Sequence, residues 1–301
     1  MFDAFRSNPL MTNPVAQGAL LLVLGEGFLA LMGAIIKHLG ADLPTEVVVF
    51  FRNFFGLFML VPILLHNGLD QLKTQRLHLH IARAAVGLSA MYGFFYMLAN
   101  MPLAEAFLVK LTSPFFMPII ATIWLAETIK PRTGWAIAIG FVGVMFILRP
   151  GADNFSPIAL VGLVAAFLAS FAKVIIRRMG DTEPSVRIVF YFGLISTLLS
   201  AIPLLWAWQS PALHHWPWIV LMGLVATLGQ LCLTRAYRIA NPGQIGPYVY
   251  VSVIYGAALG WFIWGETLLL TTLIGSGLII GAGIWNLRGK PKGKAKRQPN
   301  P

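Results

Sequence analysis

The chain has 301 residues, 57% of them hydrophobic and only 11% charged, with a formal net charge of +11. A soluble domain carries about 25% charged residues, so this composition excludes a water-soluble globular protein and indicates an integral membrane protein. Nor does the positive balance mark a nucleic-acid binder: the basic residues sit in short connections between apolar segments and in a tail holding Arg288, Lys290, Lys292, Lys294, Lys296 and Arg297.

Ten apolar segments follow one another, at residues 17–37, 44–65, 82–99, 104–125, 133–148, 155–176, 186–208, 216–236, 245–264 and 269–287. Lengths of about 20 residues match the hydrocarbon core of a bilayer. Only helices and closed barrels satisfy every backbone polar group in lipid, and these segments are too long and too evenly apolar for barrel strands. The expected fold is all-α, with ten transmembrane helices. Arg6 precedes the first segment and no small-residue cleavage site follows it, so it reads as a retained span.

Several polar residues interrupt the apolar pattern. Glu26 lies in the middle of span 1, where an ionised carboxylate costs roughly 3 kcal/mol on insertion scales. It reads as a contact for a substrate amine, as a proton-coupling group, or as half of a packing ion pair. Arg52, followed by Asn53, lies in span 2 and stays charged at any accessible pH. It suits a substrate carboxylate or phosphate, or a salt bridge to Glu26. Tyr92 and Tyr96 share a face of span 3 at i, i+4 spacing. Span 4 reads as an apolar helix containing Lys110 and two prolines, Pro114 and Pro118. Lys110 either neutralises an anionic substrate or snorkels to the interface.

Further along, Lys173 in span 6 reads as snorkelling towards Arg177 and Arg178. Trp206, Trp208, Trp216 and Trp218 flank one turn, as in an interfacial aromatic belt. His214 and His215 share that turn without further ligands in the sequence, so no metal site is expected. Gln230 and the single cysteine, Cys232, lie in span 8. Tyr248 and Tyr255 are spaced to share a face of span 9. Aromatic rings with polar tips suit a cavity for an amphipathic metabolite, or ordinary bundle packing. Gly277 and Gly281 in span 10 permit close helix approach, or a homodimer seam.

With the N-terminus inside, 17 lysines and arginines fall on the inner side and 2 on the outer. Both termini are therefore expected in the cytoplasm. The halves also repeat. GAIIKHLG (33–40) parallels KVIIRRMG (173–180), VVFFRNFFGLFMLVPILL (48–65) parallels VFYFGLISTLLSAIPLL (189–205), YMLAN (96–100) parallels YRIAN (237–241), and AET (126–128) parallels GET (265–267), at a spacing of 139–141 residues. An odd number of spans per half forces the halves into opposite orientations, an inverted repeat with a site expected near the midplane. The expected division is residues 1–150, residues 151–289 and a basic cytoplasmic tail, 290–301. The Glu127 and Glu266 turns read as N-terminal charges on the helices that follow them.

On these residues the chain resembles the EamA type of the drug/metabolite transporter superfamily. The resemblance rests on Pro114, Pro118, Glu127, Gly134, Gly140 and Gly143 in the first half. In the second half it rests on Pro247, Gly256, Gly260, Glu266, Gly275, Gly277 and Gly281. It covers essentially the whole chain, although Val253 and Ala257 stand where Pro114 and Pro118 would fall. It implies two inverted five-helix repeats and the movement of small metabolites or drugs, usually outward.

No nucleophile motif, phosphate loop or nucleotide-binding signature is present, so neither an enzyme, a bound cofactor nor ATP-driven transport is expected. Glu26, Arg52 and Lys110 form a mixed-charge set matching the amino and carboxylate groups of a zwitterion. The expectation is a secondary transporter of the inner membrane that exports a small polar or zwitterionic metabolite, amino-acid-like or opine-metallophore-like, with a proton as one candidate coupling ion. Import of a cofactor-like molecule and multidrug export are the alternatives.

Overall fold

A computed structural model describes residues 14–68, 72–125, 131–148, 157–179, 182–239, 245–267 and 269–288. The expectations for Arg6, the Glu127 turn, Arg149 and the basic tail fall outside these residues. The described residues form helices α1 (Pro14–Leu39), α2 (Thr45–Phe58), α3 (Val61–Asn67), α4 (Leu77–Asn100), α5 (Leu103–Lys110), α6 (Ser113–Leu125) and α7 (Pro131–Leu148). They continue with α8 (Pro157–Met179), α9 (Ser185–Ala201), α10 (Leu204–Ala207), α11 (Trp216–Ile239), α12 (Val251–Trp264) and α13 (Leu270–Arg288). Short 3-10 turns cover Leu213–His215 and Gly246–Tyr250.

Four stretches, Pro14–Leu39, Leu77–Asn100, Pro157–Ile176 and Leu213–Leu233, are long and apolar enough to cross a bilayer. The sequence also led to a single helix in span 4, and here the structure differs. That segment breaks at Leu111–Thr112, between α5 and α6. Pro114 has no N–H to donate to the carbonyl of Lys110, four residues back, and α5 ends on Lys110. The chain turns tightly instead, with Leu111 N donating to Phe107 O and Thr112 N to Val109 O. Span 2 breaks by the same rule: α2 ends on Phe58, four residues before Pro62.

α1 packs chiefly on α11, α4 on α8, α7 on α13, and α2 on α9. α12 also lies on α1, and α6 on α8. Small residues set these approaches. A methyl added at Gly25 would meet Leu233 of α11 at 3.1 Å, and one at Gly143 would meet the carbonyl oxygen of Gly275 at 2.8 Å. By contrast, nothing lies within 4 Å of a methyl added at Gly277 or Gly281. Close approach on α13 therefore occurs at Gly275, and Gly277 and Gly281 face away from every described neighbour. One apolar core gathers residues of α1, α2, α4, α5, α6, α7, α8, α11, α12 and α13. Large apolar side chains such as Ile123, Leu205 and Phe262 remain exposed on the outer surface, as on a protein solvated by lipid.

Candidate functional site

α1 carries Glu26 into the interior between two glycines that let neighbouring helices close in. Gly25 faces Cys232 and Leu233 of α11, and Gly27 faces the ring of Tyr255 on α12. Glu26 is 2% exposed. Its Oε2 lies 3.5 Å from Lys110 Nζ, an ion pair too long for a good hydrogen bond, and that oxygen has no hydrogen-bond partner. Lys110 reaches it from the last residue of α5, where the helix break puts a cation at a helix C-terminus, its favoured end. The ammonium also lies 5.3 Å from the ring centre of Phe107 and 5.8 Å from that of Phe94, within cation–π range. Lys110 thus points inward to Glu26 and does not snorkel.

Lys173 joins the same region and does not extend towards Arg177 and Arg178. Its Nζ donates to Ser113 Oγ at 2.9 Å, at the start of α6, and it feels the charges of Lys110 and Glu26. The Ser170 hydroxyl lies 2.8 Å from that of Ser113. The break in span 4 therefore places buried hydroxyl groups, Thr112, Ser113 and Ser170, next to Lys110 and Lys173.

Arg52 makes no salt bridge to Glu26. It is 7% exposed and donates through Nη1 to the Oδ1 of its neighbour Asn53 at 3.1 Å, while its Nε and the Asn53 Nδ2 have no partner. A second guanidinium, Arg83, lies near enough for the two positive charges to interact. Arg83 stacks 3.6 Å from the ring centre of Phe192 on α9, and its Nε and Nη1 are buried without partners. In the sequence, Arg83 is one of the 17 basic residues counted on the inner side. α4 begins at Leu77, so Arg83 is about 9 Å along the helix. A legible signal existed: Arg52 and Arg83 each precede a glycine by four residues, Gly56 and Gly87.

The other expected residues divide. Tyr255 packs beside Gly27, next to Glu26. Tyr92 is half-buried with no hydrogen-bond partner for its hydroxyl. Tyr96, one turn on, is 44% exposed on the outer surface, so the two tyrosines do not line one cavity wall. Tyr248 is likewise exposed, because the chain at Gly246–Tyr250 is a 3-10 turn whose tighter winding breaks the helical phase with Tyr255. Tyr250 takes the inward position there, with its hydroxyl pressed against Gly283. Gln230 is half-buried on α11.

Polar clasps tie the two ends of the bundle. At the end where α1 finishes, Lys37 Nζ pairs with Glu266 Oε1 at 2.7 Å and donates to Met101 O at 2.7 Å. Glu266 Oε2 accepts from the Leu103 N–H at 2.8 Å. Glu266 therefore caps α5 and does not serve the helix that follows it. Gly265 allows this by taking φ +67° at the end of α12, a backbone state that favours glycine. At the opposite end the buried Glu183 accepts from Thr74 Oγ1 at 2.9 Å and Arg187 Nη1 at 2.9 Å, and lies 3.3 Å from His80 Nε2. Burial raises the Glu183 pKa, but the hydrogen bonds from Arg187, Thr74 and His80 outweigh it and hold the carboxyl below its ordinary value.

Asp42 joins His214 and His215, a triad the sequence did not predict. His215 Nδ1 accepts from the Ala212 N–H at 3.1 Å, which leaves the proton on Nε2, facing Asp42 at 3.3 Å. In this arrangement His215 has no free lone pair for a metal.

The model of the EamA-like transporter family matches residues 16–149 and again 156–288. The chain belongs to the EamA-like transporter family. Among relatives of this EamA protein, the pseudopaline exporter CntI of Pseudomonas aeruginosa is 32% identical over 278 residues, covering 91% of this chain and 97% of the relative. The S-adenosylmethionine uptake transporter of Rickettsia bellii is 27% identical, covering 87% of this chain and 90% of the relative. The riboflavin transporter of Brucella anthropi is 25% identical, covering 82% and 89%. A solved crystal structure shares the fold with a TM-score of 0.64 at 18% identity, covering 89% of this chain and 94% of that one. Family and relatives are transporters of small molecules rather than enzymes.

Proposed function

We propose that this EamA protein is a secondary transporter of the inner membrane that exports a small zwitterionic metabolite by alternating access. The observation that carries the reading is the buried Glu26–Lys110 pair, held at 3.5 Å with one carboxylate oxygen unbonded. An intramembrane ion pair that short of hydrogen bonds is poised to exchange partners with a substrate amine, a substrate carboxylate or a proton. Ten spans in two inverted repeats, divided near residue 150, fit the packing. Exchanging the halves carries the α1–α11 contact onto α4–α8 and returns α7–α13 and α2–α9 to themselves. The clasps at opposite ends each join the two halves, Lys37 to Glu266 and Thr74 with His80 to Glu183, so opening one end requires breaking one clasp. Outward movement and an opine-like cargo follow the relative named a pseudopaline exporter.

The S-adenosylmethionine and riboflavin transporters support a second reading, uptake of a cofactor-like molecule. Metabolite profiles of medium and cells, from strains lacking and overproducing the protein, separate the two. Export predicts a metabolite lost from the medium and retained in cells when the protein is absent. A metabolite left in the medium and depleted in cells would replace export by uptake.

A further inference from the structure

α2 and α4 are in contact, and each carries one interior arginine. Arg52 extends along its helix towards Gly56, with Nη1 4.0 Å from a methyl built there. Arg83 extends towards Gly87, where such a methyl would lie 2.6 Å from Nη1. The two helices pack on each other, and the charge of Arg52 is felt at Arg83, so both guanidiniums share one region of the interior. The missing Gly87 side chain makes room for one of them, and Phe192 supports its flat face.

No carboxylate among the described residues pairs with either arginine. Arg52 Nε, Arg83 Nε, Arg83 Nη1 and Asn53 Nδ2 are buried donors without acceptors. Against the four interior cations Arg52, Arg83, Lys110 and Lys173, the middle of the spans sets one carboxylate, Glu26, and it pairs with Lys110, so the arginines have no counter-charge there. Two like charges brought together in a low-dielectric interior are costly unless an anion joins them. Several donors without acceptors, on planar forks, match the oxygens of a carboxylate.

We propose that Arg52 and Arg83, with Asn53, form an anion subsite that takes carboxylate groups of the substrate. The substrate class is then a small amino-polycarboxylate, with its excess negative charge on the arginine pair and its amine towards Glu26. This rests on the transport reading for its physiological meaning, but its test does not depend on flux.

The test uses full-length protein in lipid nanodiscs, with thermal unfolding followed against citrate, inorganic phosphate and sodium chloride at matched ionic strength. Citrate is expected to raise Tm saturably. Arg52→Gln and Arg83→Gln should each weaken the apparent citrate affinity about 10-fold or more, while raising Tm without citrate, because each removes an uncompensated cation. Arg83→Lys and Gly87→Ala, which keep the charge but lose or displace the fork, should also weaken citrate, and they carry the test if a glutamine variant fails to fold. A citrate shift unchanged in these variants, or reproduced by chloride, overturns the subsite. Stronger protection by phosphate than by citrate overturns the carboxylate assignment in favour of a phosphoryl group. Failure of the transport reading would look different: citrate binding intact, with no metabolite difference between strains.

Discussion

At Glu26 one carboxylate oxygen faces Lys110 at 3.5 Å and accepts no hydrogen bond. Breaking a buried pair by removing one partner costs about 3–5 kcal/mol when both ions are fully buried. Lys110 is 31% exposed along its side chain, so the cost here lies below that range. Glu26→Gln and Lys110→Met should each lower Tm, and the double variant should recover most of the loss. Flux in reconstituted vesicles should stay low in all three, since each lacks at least one member of the pair proposed to meet the substrate. Recovery of flux in the double variant would make the pair a packing device. Glu183 yields a pH prediction. Its carboxyl is held below its ordinary value, so its contribution is complete above the unfolded pKa and fades as pH falls through the lower folded one. Glu183→Gln should lower stability by about 1–3 kcal/mol at neutral pH. The gap from the wild type should close below about pH 4, read by unfolding scans across pH.

Between elements, the α7–α13 contact is set where Gly143 meets the Gly275 carbonyl at 2.8 Å from a hypothetical methyl. Backbone cannot yield as a side-chain end can. Gly143→Val should therefore separate the helices and cost about 1–3 kcal/mol by overpacking. Gly277→Ala meets nothing within 4 Å and should leave Tm unchanged. If Gly277→Ala instead destabilised the protein in nanodiscs, the open face of α13 would be occupied there by a second copy. The repeated glycines of span 10 were legible in the sequence, but which of them faces a neighbour was not, because a straight apolar helix with small residues on several faces has no unique buried stripe. The break in span 4 was half legible: Pro114 was visible, but that α5 would stop on Lys110 and aim it at Glu26 depends on how α5 packs on α12.

For the molecule as a whole, the charge asymmetry of the sequence and the proposed five spans per half predict an orientation that labelling can check. In a Cys232→Ala background, Ser210→Cys should react with an impermeant maleimide from outside intact cells, and Thr182→Cys only after permeabilisation. The reverse pattern would invert the topology; labelling of both from one side would break the five-plus-five arrangement. Membrane residence and family were written in the sequence, because lipid demands long apolar helices and the repeated turns recur at a fixed spacing. Glu26, Arg52 and Lys110 were also visible as candidates, since charges inside apolar runs stand out against their surroundings. The partners of these charges were not. Arg83 was counted only among the inner-side charges, Glu266 read as a charge for its own following helix, and a salt bridge to Glu26 was one of two readings of Arg52. The Glu26–Lys110, Lys37–Glu266 and Arg83–Phe192 contacts join residues far apart in the chain and have no local signature: hydropathy reports depth in the bilayer, while rotation about the helix axis is decided only when side chains pack.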